Sequence, residues 1–406
     1  MNNRFLVGAG LSLFAFLLSA KDPVIMTVNG EDVPKSEFEY LYHKNRQQQM
    51  EPQTLEEYVE MFKLYKLKVA DAKAEGIDTT SSFRREMEQY RRELAQSYVL
   101  DTVFMKGIDL SKKGSREEIR KHHCDLLAAK HSARINSTTL TALKEKGMAS
   151  PDSIFVKECL SAPLSSLPLI EIGEVKKTVG DYANIFRRMR YPSPEASSSM
   201  IERAVEMLLT NELMETELQW LYDNEPDYRN LLNEYHDGSL LYEVSVRKVW
   251  DKAAKDTEGL DRFFAANKDN YSWTKPHAKG ILIQAVNDTV ANEVKRRMDE
   301  LPGDSIITVT RKEFKGVASV ERFLVEEGQN PIVDNILFGG PAVKPKGNYT
   351  SFILYNPRII NQPEELNDVR AAVTGDYQNE LEARWTNELK RKYEVKVNKK
   401  ELKKVK

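Results

Sequence analysis

The stretch from Thr54 to Leu100 constrains the fold most, because its pattern predicts two amphipathic helices that meet at Gly76. Thr54 and Glu57 have the spacing of a capping box at the start of the first helix. Apolar residues recur there at three- and four-residue steps: Leu55, Tyr58, Val59, Phe62, Tyr65, Leu67 and Val69. A second stripe follows Gly76: Phe83, Met87, Tyr90 and Leu94. Both helices therefore need other elements to cover an apolar face.

Composition limits the class of partner. The chain has 406 residues and is 41% hydrophobic, which is enough for a sizeable core and predicts two to three domains. Its 60 basic and 62 acidic residues almost cancel. No overall field therefore draws it to nucleic acid or to an anionic membrane, and we expect recognition by shape and apolar contact.

The amino terminus has the pattern of a secretory signal peptide. Arg4 precedes the apolar run from Phe5 to Leu18, and Leu18-Ser19-Ala20 is a small-residue cleavage site. We predict a cleaved signal peptide at residues 1–20. The run is too short to cross a bilayer, and no later run reaches eighteen apolar residues, so we expect a periplasmic protein without stable membrane insertion.

The chain has two cysteines, Cys124 and Cys159. In an oxidising compartment they could form one disulfide, which would contribute about 3 to 4 kcal/mol by restricting the unfolded chain. Two buried, unpaired thiols are an equally good interpretation.

A cluster of potential metal ligands lies around Cys124: His122, His123 and His131. Adjacent residues on a helix point about 100° apart, and no second ligand pair has metal-site spacing. The sequence therefore favours a solvated polar helix, and we predict no metal and no cofactor.

The first half of the chain divides into three segments. Residues 21–114 predict a strand, an Asn-Gly turn and a helix leading into the helix pair. Residues 115–179 predict short helices but no recognisable fold. Residues 180–270 resemble the first segment, since the Val-Glu-Met sequence at residues 59–61 recurs at 205–207, so they are either an internal repeat or a chance similarity. The serines at 197–199 predict a flexible linker.

The second half predicts an α+β unit at residues 271–360. Its expected strands are 280–283, 306–309 and 351–354, its expected helix is 289–301, and loops are expected over 320–338. Residues 361–406 predict a long helix from Glu364 to Lys392 and a last strand. We expect that helix and strand to pack on the N-terminal segment.

Four stretches together resemble the SurA and PpiD type of periplasmic folding factor. They are VNGEDVPKSEFEY at 28–40, EEYVEMFKLYKLKVADAKAEGID at 56–78, EYHDGSLLYEVSVRKVWDKAAKDTEGL at 234–260 and RAAVTGDYQNELEARWTNELKRKYEVKVN at 370–398. The resemblance implies a mostly helical α+β fold. A helical chaperone core would come from both chain ends, with a parvulin-like domain inserted at 271–360 and a degenerate insert at 115–179.

The resemblance also implies where a prolyl isomerase would keep its histidines. One would stand directly before the Ile-Leu-Ile run at 281–283, where this chain has Gly280, and a second near Ser351. His277 is three residues away and is expected on the opposite side of the strand. We therefore predict no catalytic residues.

These observations favour an ATP-independent holdase that binds unfolded polypeptides, above all outer-membrane β-barrel precursors. Five aromatic residues are candidates for client contact: Tyr58, Phe62, Tyr65, Tyr90 and Trp385. For each of them taken singly, ordinary core is the favoured interpretation. The alternative function is an active peptidyl-prolyl isomerase that assists periplasmic folding.

Overall fold

A computed structural model describes residues 22–48, 51, 53–99, 116–149, 155, 157, 161–189, 193–303, 305–344 and 347–405. The predicted signal peptide and Cys159 lie outside these residues. The protein is 65% helix and 16% strand with three small antiparallel sheets, which confirms the mostly helical α+β class. The chain forms two compact units, residues 1–244 with 392–406 and residues 245–391.

The first unit begins with a hairpin and three helices. Their bounds are β1 Val24–Val28, β2 Glu31–Pro34, α1 Lys35–Gln48, α2 Leu55–Ala74 and α3 Ser81–Val99. Asn29 and Gly30 both have positive φ, 49° and 82°, as a two-residue hairpin turn requires. The expected strand and turn are confirmed.

Helix α2 forms because its sequence specifies both ends. Thr54 accepts a hydrogen bond from the Glu57 N–H, and the Glu57 carboxylate accepts one from the Thr54 N–H at 2.9 Å. Gly76, with φ of 70°, follows its C-terminal end. The predicted capping box and stop are therefore confirmed.

The last strand joins the first strand. β9, Val395–Val397, pairs antiparallel with β1, so β1 is the centre of a sheet in the order β2-β1-β9. Next to it, the carboxylate of Asp71 accepts hydrogen bonds from Lys392 at 2.8 Å and from the Tyr393 hydroxyl at 2.9 Å. A short helix, α15 (Lys399–Leu402), follows.

The rest of the first unit is a second sheet with helices around it. The elements are α4 Arg116–Lys130, β3 Ala133–Ile135, α5 Ser137–Ala149, β4 Pro168–Ile172, β5 Val175–Thr178, α6 Ala183–Arg188, α7 Pro194–Asn224 and α8 Pro226–Ser245. From β4 onward this order, a hairpin followed by three helices, is that of residues 24–99. The internal repeat itself stays a prediction.

The serines at 197–199 do not form a linker. They lie in α7, which Ser193 caps by accepting a hydrogen bond from the Ala196 N–H, with Pro194 at the first helical position. The Ser197 hydroxyl donates to the Ser193 carbonyl at 2.5 Å and is buried. The flexible spacer was the wrong interpretation, because Ser-Pro here starts a helix.

The second unit begins with a π-helical turn at Val246–Trp250. Its elements are α9 Asp251–Lys255, α10 Thr257–Asn267, β6 His277–Ala285, α11 Asp288–Asp299, α12 Ile306–Glu313, β7 Ala318–Glu326, α13 Pro331–Phe338, β8 Ser351–Ile360 and α14 Arg370–Lys392. The strands form an antiparallel sheet in the order β7-β6-β8. One apolar cluster joins this sheet to α11 and α12, and another joins it to α13.

Two expectations for this unit are wrong. Residues 306–309 are helix rather than strand, since the buried side chain of Ile306 packs with the sheet core and the Thr310 hydroxyl donates back to the Ile306 carbonyl. The region 320–338 contains β7 and α13 rather than mainly loops. Its Gly328 forms a turn with φ of 92°, while Pro331 starts α13 behind the capping residue Asn330.

Helix α14 has the predicted apolar stripe. Val373, Tyr377, Leu381, Trp385 and Leu389 are all buried. Within the second unit, the Tyr377 hydroxyl donates to Asp256 at 2.8 Å, and the Tyr271 hydroxyl donates to Asp376 at 2.9 Å. The predicted packing of this helix on the N-terminal segment stays a prediction.

Candidate functional site

An open groove of about 650 Å³ lies in the first unit, between the hairpin and helices α1, α2, α3, α7 and α8. Its apolar lining includes Val33, Val69, Phe83, Met87 and Leu232. Charged side chains of both signs lie among these: Glu31, Asp32, Glu37, Lys66, Lys73, Asp78, Arg84, Glu88, Arg91, Arg229 and Asp237. The groove therefore offers apolar contact and both kinds of charge within one surface.

A buried charge cluster forms part of the wall of the groove. Lys66 of α2 is 8% exposed, and it lies between Glu37 of α1 and Asp237 of α8, each 7% exposed. Its ammonium group donates to Asp237 at 2.6 Å and also to Glu37. His236 contacts the other Asp237 oxygen at 2.8 Å. The cluster thus joins three helices through one cation.

The two carboxylates differ in their pKa. Burial alone would raise the pKa of Asp237, but the His236 hydrogen bond and the Lys66 charge outweigh it and lower the pKa to about 2. Burial raises the pKa of Glu37, and Lys66 only partly opposes this shift. Burial would also lower the pKa of Lys66, yet the two carboxylates raise it. Of the two carboxylates, Glu37 therefore has the higher pKa.

Sequence reasoning missed this cluster. The available signal was Lys66 itself, a cation four residues after Phe62 on the apolar stripe of α2, where burial demands a partner. Its partners are 29 and 171 residues away in sequence, so only the fold could identify them.

Three of the predicted client-contact residues lie together in an aromatic cluster. Along α2, the ring of Phe62 contacts the rings of both Tyr58 and Tyr65. Phe38 of α1 contacts Phe62 edge-on, with ring centroids 5.0 Å apart. Tyr58 is 3% and Phe62 1% exposed, so their rings contribute to the core that supports the groove. Tyr65 is half-buried.

The other two lie elsewhere. Tyr90 of α3 is half-buried and stacks on Tyr235 of α8, with centroids 3.6 Å apart. Trp385 is buried in α14 of the second unit. None of the five lines the groove, and their contact with clients stays a prediction.

The three positions considered for a prolyl isomerase do not converge. His277 is the first residue of β6, and Ser351 pairs with Ala285 at the other end of that strand. At about 3.3 Å per residue, some 25 Å separates those ends. A Cβ atom on Gly280 would lie 2.9 Å from the ring of Phe323 and 3.2 Å from the Pro357 backbone. The position is therefore filled by an aromatic ring.

The histidines near Cys124 lie in different surroundings. His131 contacts the buried Glu217 carboxylate at 2.6 Å, and Lys130 donates to the same group at 2.9 Å. His123 is buried, and burial lowers its pKa to about 4. The helix that we expected to be solvated is therefore packed on the side of His123. Within the described ranges no group of three or more His, Cys, Asp or Glu could hold a metal ion.

Cys124 is half-buried, with its sulfur 3.6 Å from the Thr210 hydroxyl. Because Cys159 lies outside the described residues, the disulfide stays a prediction.

Comparisons with protein-family models, with curated protein sequences and with solved structures each find no match. Among the described helices, none has the length and apolar character needed to cross a bilayer.

Proposed function

We propose that this protein is an ATP-independent periplasmic chaperone that holds unfolded secreted or outer-membrane proteins. In this proposal the first unit, closed by both chain ends, is the helical chaperone core. The groove is the observation that carries the proposal, because it places apolar side chains and charges of both signs on one open surface.

The lining of the groove suits a client of variable sequence. Met87 is flexible and polarisable, so it adapts to different side chains, and Leu232 and Phe83 add apolar area. Charges of both signs around them accept either acidic or basic neighbours. Such a surface supports weak, sequence-tolerant binding with fast release.

In the same proposal the domain at 271–360 is parvulin-like but catalytically silent. The ring of Phe323 fills the space beside Gly280, where the resemblance implies a histidine. In a protease-coupled assay on an X-Pro peptide, we therefore expect only uncatalysed isomerisation, which takes tens to hundreds of seconds. A clear acceleration would favour the isomerase instead.

The test of holdase activity is suppression of aggregation. A urea-unfolded outer-membrane β-barrel protein is diluted into buffer without ATP, and light scattering is followed with and without an equimolar amount of this protein. We expect scattering to fall strongly. Unchanged scattering would reject the proposal.

A matched pair of substitutions locates the activity. Met87→Glu places a charge in the apolar lining of the groove and should weaken protection. Met61→Glu makes the same chemical change on the exposed side of α2, outside the groove, and should leave protection intact. Equal effects of the two variants would place client binding elsewhere.

A further inference from the structure

The outer edge of β7 in the second unit has an identifiable hydrogen-bond pattern. Just beyond the ladder, the Val286 N–H donates to the Val317 carbonyl at 3.0 Å, so these two residues are a hydrogen-bonded pair. Such pairs alternate with non-bonded pairs along an antiparallel ladder. The register of β6 and β7 has no shift, so this alternation extends along the whole of β7. Five residues of β7 therefore turn their main-chain groups away from β6: Ala318, Val320, Arg322, Leu324 and Glu326.

Both ends of this edge are already occupied. The Ala318 N–H donates to the Phe314 carbonyl at 3.0 Å, and Arg311 of α12 donates to the Val320 carbonyl at 2.6 Å. At the other end the Glu326 N–H donates to the Gln329 side chain at 3.1 Å, and the Glu326 carbonyl accepts from the Gln329 N–H at 3.2 Å.

The middle of the edge is open. Within the part of the chain that the structure describes, no residue bonds the outward N–H and C=O groups of Arg322 and Leu324. These are two donors and two acceptors in the spacing that an added strand uses. The opposite edge of the sheet is less suitable, since β8 has Asn356 with φ of 46° and Pro357, which lacks an N–H.

Charge indicates what kind of strand fits. Arg322 and Leu324 line a cavity of about 330 Å³ together with Lys279 and Arg358. Lys279 contacts two carboxylates that also line the cavity, Asp368 at 2.5 Å and Glu365 at 2.6 Å, and Arg358 contacts Glu364 at 2.6 Å. Arg322 is exposed, and no carboxylate among the described residues pairs with it. A carboxylate on an incoming strand would complete this set of ion pairs.

We propose that the middle of β7 binds an extended polypeptide strand of another protein in antiparallel register. The strand has an acidic residue opposite Arg322 and an apolar residue opposite Leu324. A second copy of β7 fits less well, because two-fold pairing would bring the two Arg322 side chains to diagonal positions on one face. This site lies in the second unit and does not depend on the groove, so the two tests fail independently.

The test uses the full chain and a fluorescent peptide, acetyl-Thr-Val-Thr-Glu-Thr-amide, with binding followed by anisotropy. Leu324→Pro removes an N–H that faces away from β6, so the ladder is kept while one bond to the peptide is lost. We expect affinity to fall about tenfold. Circular dichroism checks that the variant folds.

Charge exchange supplies the matched control. Arg322→Glu should weaken binding of this peptide and strengthen binding of the same peptide with Lys in place of Glu. Lys315→Glu changes the net charge equally at an exposed site before β7 and should leave both affinities unchanged. Identical behaviour of the two variants would overturn the proposal.

Hydrogen exchange on the unsubstituted protein gives an answer even if Leu324→Pro fails to fold. Bound peptide should slow exchange of the Arg322 and Leu324 amides and leave the Phe323 amide, already paired with β6, unchanged. Unslowed exchange at Arg322 and Leu324 would refute strand addition. A dimer in sedimentation equilibrium that Leu324→Pro abolishes would also refute it, in favour of self-pairing.

Discussion

Lys66 holds two buried carboxylates that the first unit could not otherwise accommodate. Removing one partner of a buried ionic cluster leaves an uncompensated charge, which usually costs about 3 to 5 kcal/mol. We expect Lys66→Met to lower the free energy of unfolding by that amount in urea denaturation. Lys63→Met is the control, since Lys63 pairs with the exposed Glu60 on the same helix and its loss should cost below about 1 kcal/mol. Equal losses would contradict the role of the cluster.

His123 should make stability depend on pH. Burial lowers its pKa in the folded state to about 4, against 6.5 for the ordinary side chain. Because the folded pKa is depressed, the stabilising contribution is present above pH 6.5 and is lost as the pH falls from 6.5 towards 4. We expect His123→Gln to flatten the dependence of unfolding free energy on pH in that window. His43→Gln, at an exposed position on α1, should keep the wild-type slope.

At the scale of elements, the close packing around Gly280 can be measured. Gly280→Ala should destabilise the second unit by about 1 to 3 kcal/mol, because its Cβ would press on the Phe323 ring. Gly303→Ala, with nothing within 4 Å of the added carbon, should leave stability unchanged or slightly raised. In a double-mutant cycle, Gly280→Ala should cost less when Phe323→Leu is already present. An equal cost in both backgrounds would argue against this contact.

Elements with strong local signals could be predicted from the sequence, and those decided by distant contacts could not. Helix α2 and the Asn29-Gly30 turn are specified by neighbouring residues, through capping and backbone conformation. The β-branched run that begins at Ile306 favours a strand locally, but burial of Ile306 against the sheet makes it a helix. The pairing of Lys66 with Asp237 could not be predicted either, because Asp237 lies in helix α8, 171 residues further along the chain.

At the scale of the whole molecule, the β1–β9 pairing can be tested by removing single hydrogen bonds. The Asn29 N–H donates to the Glu394 carbonyl and the Asn398 N–H to the Ile25 carbonyl, so the Lys396 N–H points at β1 and that of Val395 points away. Lys396→Pro should therefore speed amide exchange in β1, while exchange in β6 stays unchanged. Val395→Pro should have a smaller effect on β1, and the reverse order would contradict the ladder.

The same pairing sets an order of events during synthesis. Residues 245–391 are one uninterrupted stretch, so every residue of the second unit is synthesised before β9. Strand β1 leaves the ribosome long before β9, its later neighbour. Until β9 is available, the edge of β1 that β9 will cover has unpaired N–H and C=O groups, which can bind other extended chains.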